Sequence, residues 1–190
     1  MKKLFCLLLV FASPFLYAQN YPYDISESQP FGKLNPAAPS ELMDFGQLVG
    51  MHSCLSYTKN QKGEWKSPEK IIWRWKYIMN GLAVQDETLK PDGSHSGSIR
   101  AYDADSLTWR VHYYTNVRPS VTLSVWTGGK VDNGDIVLYK NSRAPNGKEG
   151  YFRLTFADIK VESFEWIGEW VDKAETTSFP TWKISCKRDM

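Results

Sequence analysis

No stretch of this sequence carries five or more charges of one sign. A chain without a basic field lacks the electrostatic footprint of nucleic-acid binding and of attachment to anionic membranes. No Gly-x-Ser-x-Gly, phosphate loop or dinucleotide fingerprint occurs. Histidine is scarce: His52, His95 and His112 fall on separate strand-like runs, none at a metal-ligand spacing from another, so no metal site is predicted. Beyond residue 18 there is no apolar run of about 18 residues, so no transmembrane segment is expected in the mature chain. No helical period interrupts the long strand-like stretch that begins near residue 48.

What is present begins with a leader. Met1-Lys2-Lys3 is a basic start, Leu4 to Phe11 an apolar run, and Ala18 a small residue before Gln19. This pattern predicts a signal peptide over 1–18, cleaved near Ala18, and a periplasmic or secreted protein. Lys2 and Lys3 leave with it. The 23 basic residues then fall to the number of acidic ones, 21, and the mature chain is neutral. Residues 19–39 hold Pro22, Pro30, Pro36 and Pro39 among Ser, Asn and Gln, and read as a flexible linker. Ser40 is placed to cap a short helix over Glu41–Phe45, ended by Gly46.

The domain proper is 40–190. Strand-like runs at 48–58, 68–79, 82–89, 95–102, 107–117, 120–127, 135–142, 150–157, 161–171 and 181–188 are separated by short turn signals. One of these, Asn80-Gly81, has the composition of a two-residue hairpin turn. Sequential hairpins without crossover helices make an antiparallel meander, and a meander this long removes its two edges by closing. The predicted fold is an all-β, up-and-down antiparallel barrel of about ten strands.

Two sets of side chains alternate along each strand. Trp73, Trp75 and Tyr77 share one face; Trp109, Val111 and Tyr113 share another, opposite Arg110, His112 and Tyr114; Phe164, Trp166 and Trp170 share a third. Such stripes are either packed core or the lining of a cavity for a small, largely apolar or aromatic molecule. Hydropathy does not choose between the faces, so the candidate ligand-binding set takes both: Trp73, Trp75, Tyr77, Arg100, Tyr102, His112, Tyr114, Arg153 and Trp166. Arg100 is expected beside the Trp109 ring across a tight hairpin. The acid pairs Asp86-Glu87 and Glu165/Glu169 read as solvated faces, so no catalytic residue is assigned.

The runs SIRAYDADSLTWRVHYY (98–114), FRLTFADIKVESFEWIGEW (152–170) and TWKISCKR (181–188) resemble a bacterial family of exported lipocalin-like, calycin-type proteins, a domain of unknown function. ELMDFGQLVGMH (41–52) is similar to its short helix and first strand. The resemblance implies a ten-stranded barrel with an interior cavity and no particular reaction. It implies that His52 stands where a plugging Trp would meet an Arg of the last strand, here Arg188. It also leaves room for haem held through one His, His112 being the best placed; otherwise no cofactor is expected.

Once Cys6 leaves with the leader, Cys54 and Cys186 remain, in the first and last strands. Opposite residues of an unbulged antiparallel pair have a constant sum of numbers. Cys54 with Cys186 and His52 with Arg188 share one sum, so one register joins both pairs. That predicts a disulfide closing the barrel, against the alternative of two buried free thiols. Ligand binding, a structural or protein-interaction role, and a cavity enzyme of isomerase type are the functions this sequence leaves open.

Overall fold

A computed structural model describes residues 20–189; the predicted signal peptide and its cleavage point lie outside them. A five-residue helix, α1 (Leu42–Gly46), precedes ten strands: β1 (Gly50–Thr58), β2 (Glu69–Ile78), β3 (Ala83–Leu89), β4 (His95–Asp103), β5 (Thr108–Thr115), β6 (Ser124–Lys130), β7 (Ile136–Arg143), β8 (Glu149–Ala157), β9 (Ser163–Asp172) and β10 (Ser178–Arg188). Each strand pairs antiparallel with its neighbours in sequence, and β1 pairs with β10, so the meander closes into a barrel.

The closing register is the predicted one. His52 lies opposite Arg188 and Cys54 opposite Cys186. The two cysteines form a disulfide, with α-carbons 4.2 Å apart, the close spacing of a non-hydrogen-bonded antiparallel pair.

Several local expectations need correction. The loop between β2 and β3 has four residues, not two: Ile78 pairs with Ala83, and Met79, Asn80 and Gly81 all take positive φ. Ser40 does not cap α1; its hydroxyl donates to Glu41, and Glu41 holds the cap position without a side-chain bond. The segment expected as a flexible linker is tied to the barrel. The Tyr77 N–H donates to the Phe31 carbonyl (2.8 Å), the Asn35 N–H to the Gly81 carbonyl (3.2 Å) and the Tyr23 N–H to the Asn80 side chain (3.0 Å). The reason is register: Gly50, the first residue of β1, faces Trp75, so Tyr77 runs past the end of its neighbour and its free N–H takes another acceptor.

The barrel has a packed end and a hollow end. A helix of little more than one turn forms only by packing, and α1 folds across the packed end. Its Phe45 is edge-on to Trp109 (4.8 Å) and Phe156 (5.5 Å) and stacks on Trp75 (5.9 Å). Leu42, Leu48, Ile136, Leu138 and Phe164 complete this core. Arg188 fastens the same end, donating to the carbonyls of Gln47, Val49 (2.6 Å) and Val161 (2.7 Å). It thereby joins the α1–β1 connection to the β8–β9 loop.

His52 is buried beside this Arg, with its ring edge against Phe164 at 5.1 Å and Nδ1 without a partner among the described residues. Burial, and then the positive charge of Arg188, lower its pKa to about 4, against a small opposing effect of the Trp73 backbone. The native state therefore refuses a proton that the unfolded chain accepts from about pH 6.5 downward. Stability is expected to fall as pH drops from 6.5 to 4 and to lose nothing further to this group below that, a loss of about 3 kcal/mol at most. Urea unfolding at pH 7 and pH 4.5 should show a smaller loss in His52→Phe than in the parent. An equal loss in both would rule out His52 as the sensitive group.

Candidate functional site

Above the packed end the interior opens into a cup of about 370 Å³. Its wall has two characters. On one side β3 and β4 contribute Thr88, Ser96 and Ser98; on the other β6, β8, β9 and β10 contribute Trp126, Phe152, Trp166 and Trp182. The hydroxyls of Thr88 and Ser96 bond one another at 2.7 Å, and Trp182 Nε1 donates to Ser56 Oγ at 2.8 Å. Trp166 meets Trp182 edge-on at 5.2 Å. A wall of broad rings with a few polar groups suits a flat, mostly apolar molecule.

The floor is an ion pair. Asp86 lies opposite Ser98, and Arg100 is the next inward-facing residue on β4, so Arg100 reaches Asp86 diagonally. Arg100 Nη1 donates to Asp86 Oδ1, and Trp73 Nε1 donates to Asp86 Oδ2 at 2.8 Å. Both charged side chains are almost fully buried. The guanidinium lies over Trp75, 4.4 Å from the ring centre, with Phe45 at 5.0 Å and Phe156 at 5.7 Å. Burial pushes the Arg100 pKa down to about 9, which still leaves it cationic at neutral pH. Its Nε has no acceptor among the described residues.

Of the nine candidate residues, Trp73, Arg100 and Trp166 line the cup. Trp75 lies directly beneath the floor. Tyr77 and Tyr102 point inward in the packed end, Tyr102 edge-on to Trp109 at 5.6 Å, and do not reach the cavity. His112, Tyr114 and Arg153 belong to the outer face. His112 pairs with Val125 and Ile99 away from the cup, so an axial role toward an interior haem has no geometric basis. The Tyr114 hydroxyl accepts from Gln85 at 2.5 Å. Arg153 is ion-paired with Glu169 (2.8 Å) and Glu175 (2.5 Å). Two further expectations are corrected: Arg100 meets Trp75 rather than Trp109, because Val111 is its cross-strand neighbour, and Asp86 is in the floor, not on a solvated face. Of the Asp86-Glu87 pair, Glu87 alone is outward, paired with Arg74.

Asp86, Lys140, Trp126 and Trp182 were missed as site residues. For Trp182 a signal existed: it shares parity with Ile184 and Cys186, so an inward disulfide places it inside. For Lys140 none existed, since Ile136-Val137-Leu138-Tyr139 is apolar on both faces. Among the described residues no three His, Cys, Asp or Glu gather to hold a metal, and no helix is long and apolar enough to cross a membrane. A larger hollow of about 560 Å³ beside Leu55, Ile72 and Leu89 lies on the outer wall, where Leu55 and Ile72 are 37% and 41% exposed. Scanned against protein-family models and against curated proteins, the chain matches none.

Proposed function

We propose that this is an exported lipocalin-like barrel that binds one small, planar, largely apolar molecule in the cup above Arg100 and Asp86. The observation that carries the reading is the union of an aromatic-walled cavity with a rigid charged floor. Asp86 is the only acid in that lining among the described residues and is engaged by Arg100 and Trp73, an arrangement suited to shaping a site more than to moving protons. The Cys54–Cys186 bridge supports export, since such bonds persist in oxidising compartments. N-terminal sequencing of the exported protein reads where the leader ends.

The neutral fluorescent probe N-phenyl-1-naphthylamine should bind with one-to-one stoichiometry. Trp166→Ala is expected to weaken it about tenfold by removing a wall. Tyr114→Ala, on the outer face, should leave its affinity unchanged. No saturable binding, or equal affinity in the parent and Trp166→Ala, would overturn the cavity reading.

A further inference from the structure

Charge around the cup does not cancel. Arg100 is matched by Asp86, and Lys90 at the rim is matched by Glu69 at 3.3 Å. Lys140 is matched by no carboxylate among the described residues, yet its side chain is on the inner face of β7, in the cavity wall. Its Nζ lies over the Trp126 ring at 4.2 Å and donates to Ser124 Oγ at 3.4 Å. Neither group neutralises it. Burial lowers its pKa, and among the described residues no negative charge lies near enough to raise it. A half-buried ammonium held against a ring is costly unless an anion completes its surroundings. Trp126 adds, in the same stretch of wall, a buried indole N–H with no acceptor among the described residues.

We propose that the molecule held in the cup carries one anionic group, of the carboxylate kind, and that Lys140 is its counter-ion. This rests on the cavity reading and deepens it: Trp126, Phe152, Trp166 and Trp182 take the flat body, and Lys140 takes the charge. Arg100 is not the anion site, because Asp86 already occupies its Nη1 and a second carboxylate there would face the first.

The test uses two probes of the same shape, 2-naphthoate and 2-naphthamide, which differ in charge. Binding is read at pH 7 by calorimetry and by quenching of tryptophan fluorescence. The parent should prefer the naphthoate about tenfold, as a charge-assisted contact in a partly buried site requires. Lys140→Met should abolish the preference, and Lys140→Arg should restore it. A naphthamide bound as tightly as the naphthoate by the parent would overturn the anion assignment while leaving the cavity reading intact. A preference that survives Lys140→Met would place the anion elsewhere and equally overturn it. Failure of both probes and of the neutral naphthylamine would overturn the cavity reading itself.

Discussion

Asp86→Ala is expected to destabilise the barrel by about 3–5 kcal/mol, because it strands the Arg100 charge in the interior. The guanidinium is almost fully buried and Asp86 is its only ion-pair partner among the described residues. Without the carboxylate, Arg100 keeps its desolvation cost and loses its counter-ion, and Trp73 Nε1 loses its acceptor. That is a large share of the total stability of about 5–15 kcal/mol usual for a domain. Asp86→Ala combined with Arg100→Met should recover much of the loss, because an apolar pair is tolerated where a lone charge is not. Urea unfolding of both single variants and the double measures this. If Asp86→Ala costs under about 1 kcal/mol, or the two changes simply add, the floor is not the tightly coupled pair described above.

Loss of the Cys54–Cys186 bridge is the other large effect. The two residues are 132 apart in sequence, and freeing that loop restores entropy to the unfolded chain worth about 5 kcal/mol on the chain-entropy model. Replacing both cysteines by Ala should lower the urea midpoint by a corresponding amount, and reductant should do the same to the parent. In protein lacking the leader, thiol titration after unfolding without reductant should find no reactive thiol. Two per chain would mean that the bridge does not form, and closure would then rest on the β1–β10 ladder alone.

The two effects differ in how far they could be read from the residues. The disulfide was legible. Ten strands joined by short turns admit one simple meander, and closing it sets the first strand against the last. A constant-sum rule then tests any proposed pair, and two pairs passed together. The ion pair was not legible. Asp86 has no hydropathy signal that separates it from Glu87, and the residue that draws it inward is 14 positions away on another strand. Trp109, Val111 and Tyr113 alternate with Arg110, His112 and Tyr114, and aromatic side chains suit either face of a strand. Taking both faces therefore brought in His112, Tyr114 and Arg153, all of them outside.

The distinction follows from the range of the forces involved. Strand existence, hairpin order, antiparallel closure and the cysteine register depend on local backbone preferences and on chain connectivity, both written along the sequence. The depth of the cavity does not. It depends on how far α1 penetrates the barrel, where Phe45 stacks on Trp75 and stops. It depends also on Arg100 and Asp86 meeting above those rings, and on Lys140 finding no carboxylate among the described residues. Each of these is a contact between strands that meet only when the sheet has closed, and side-chain burial is settled by that closure rather than by any residue's own preference.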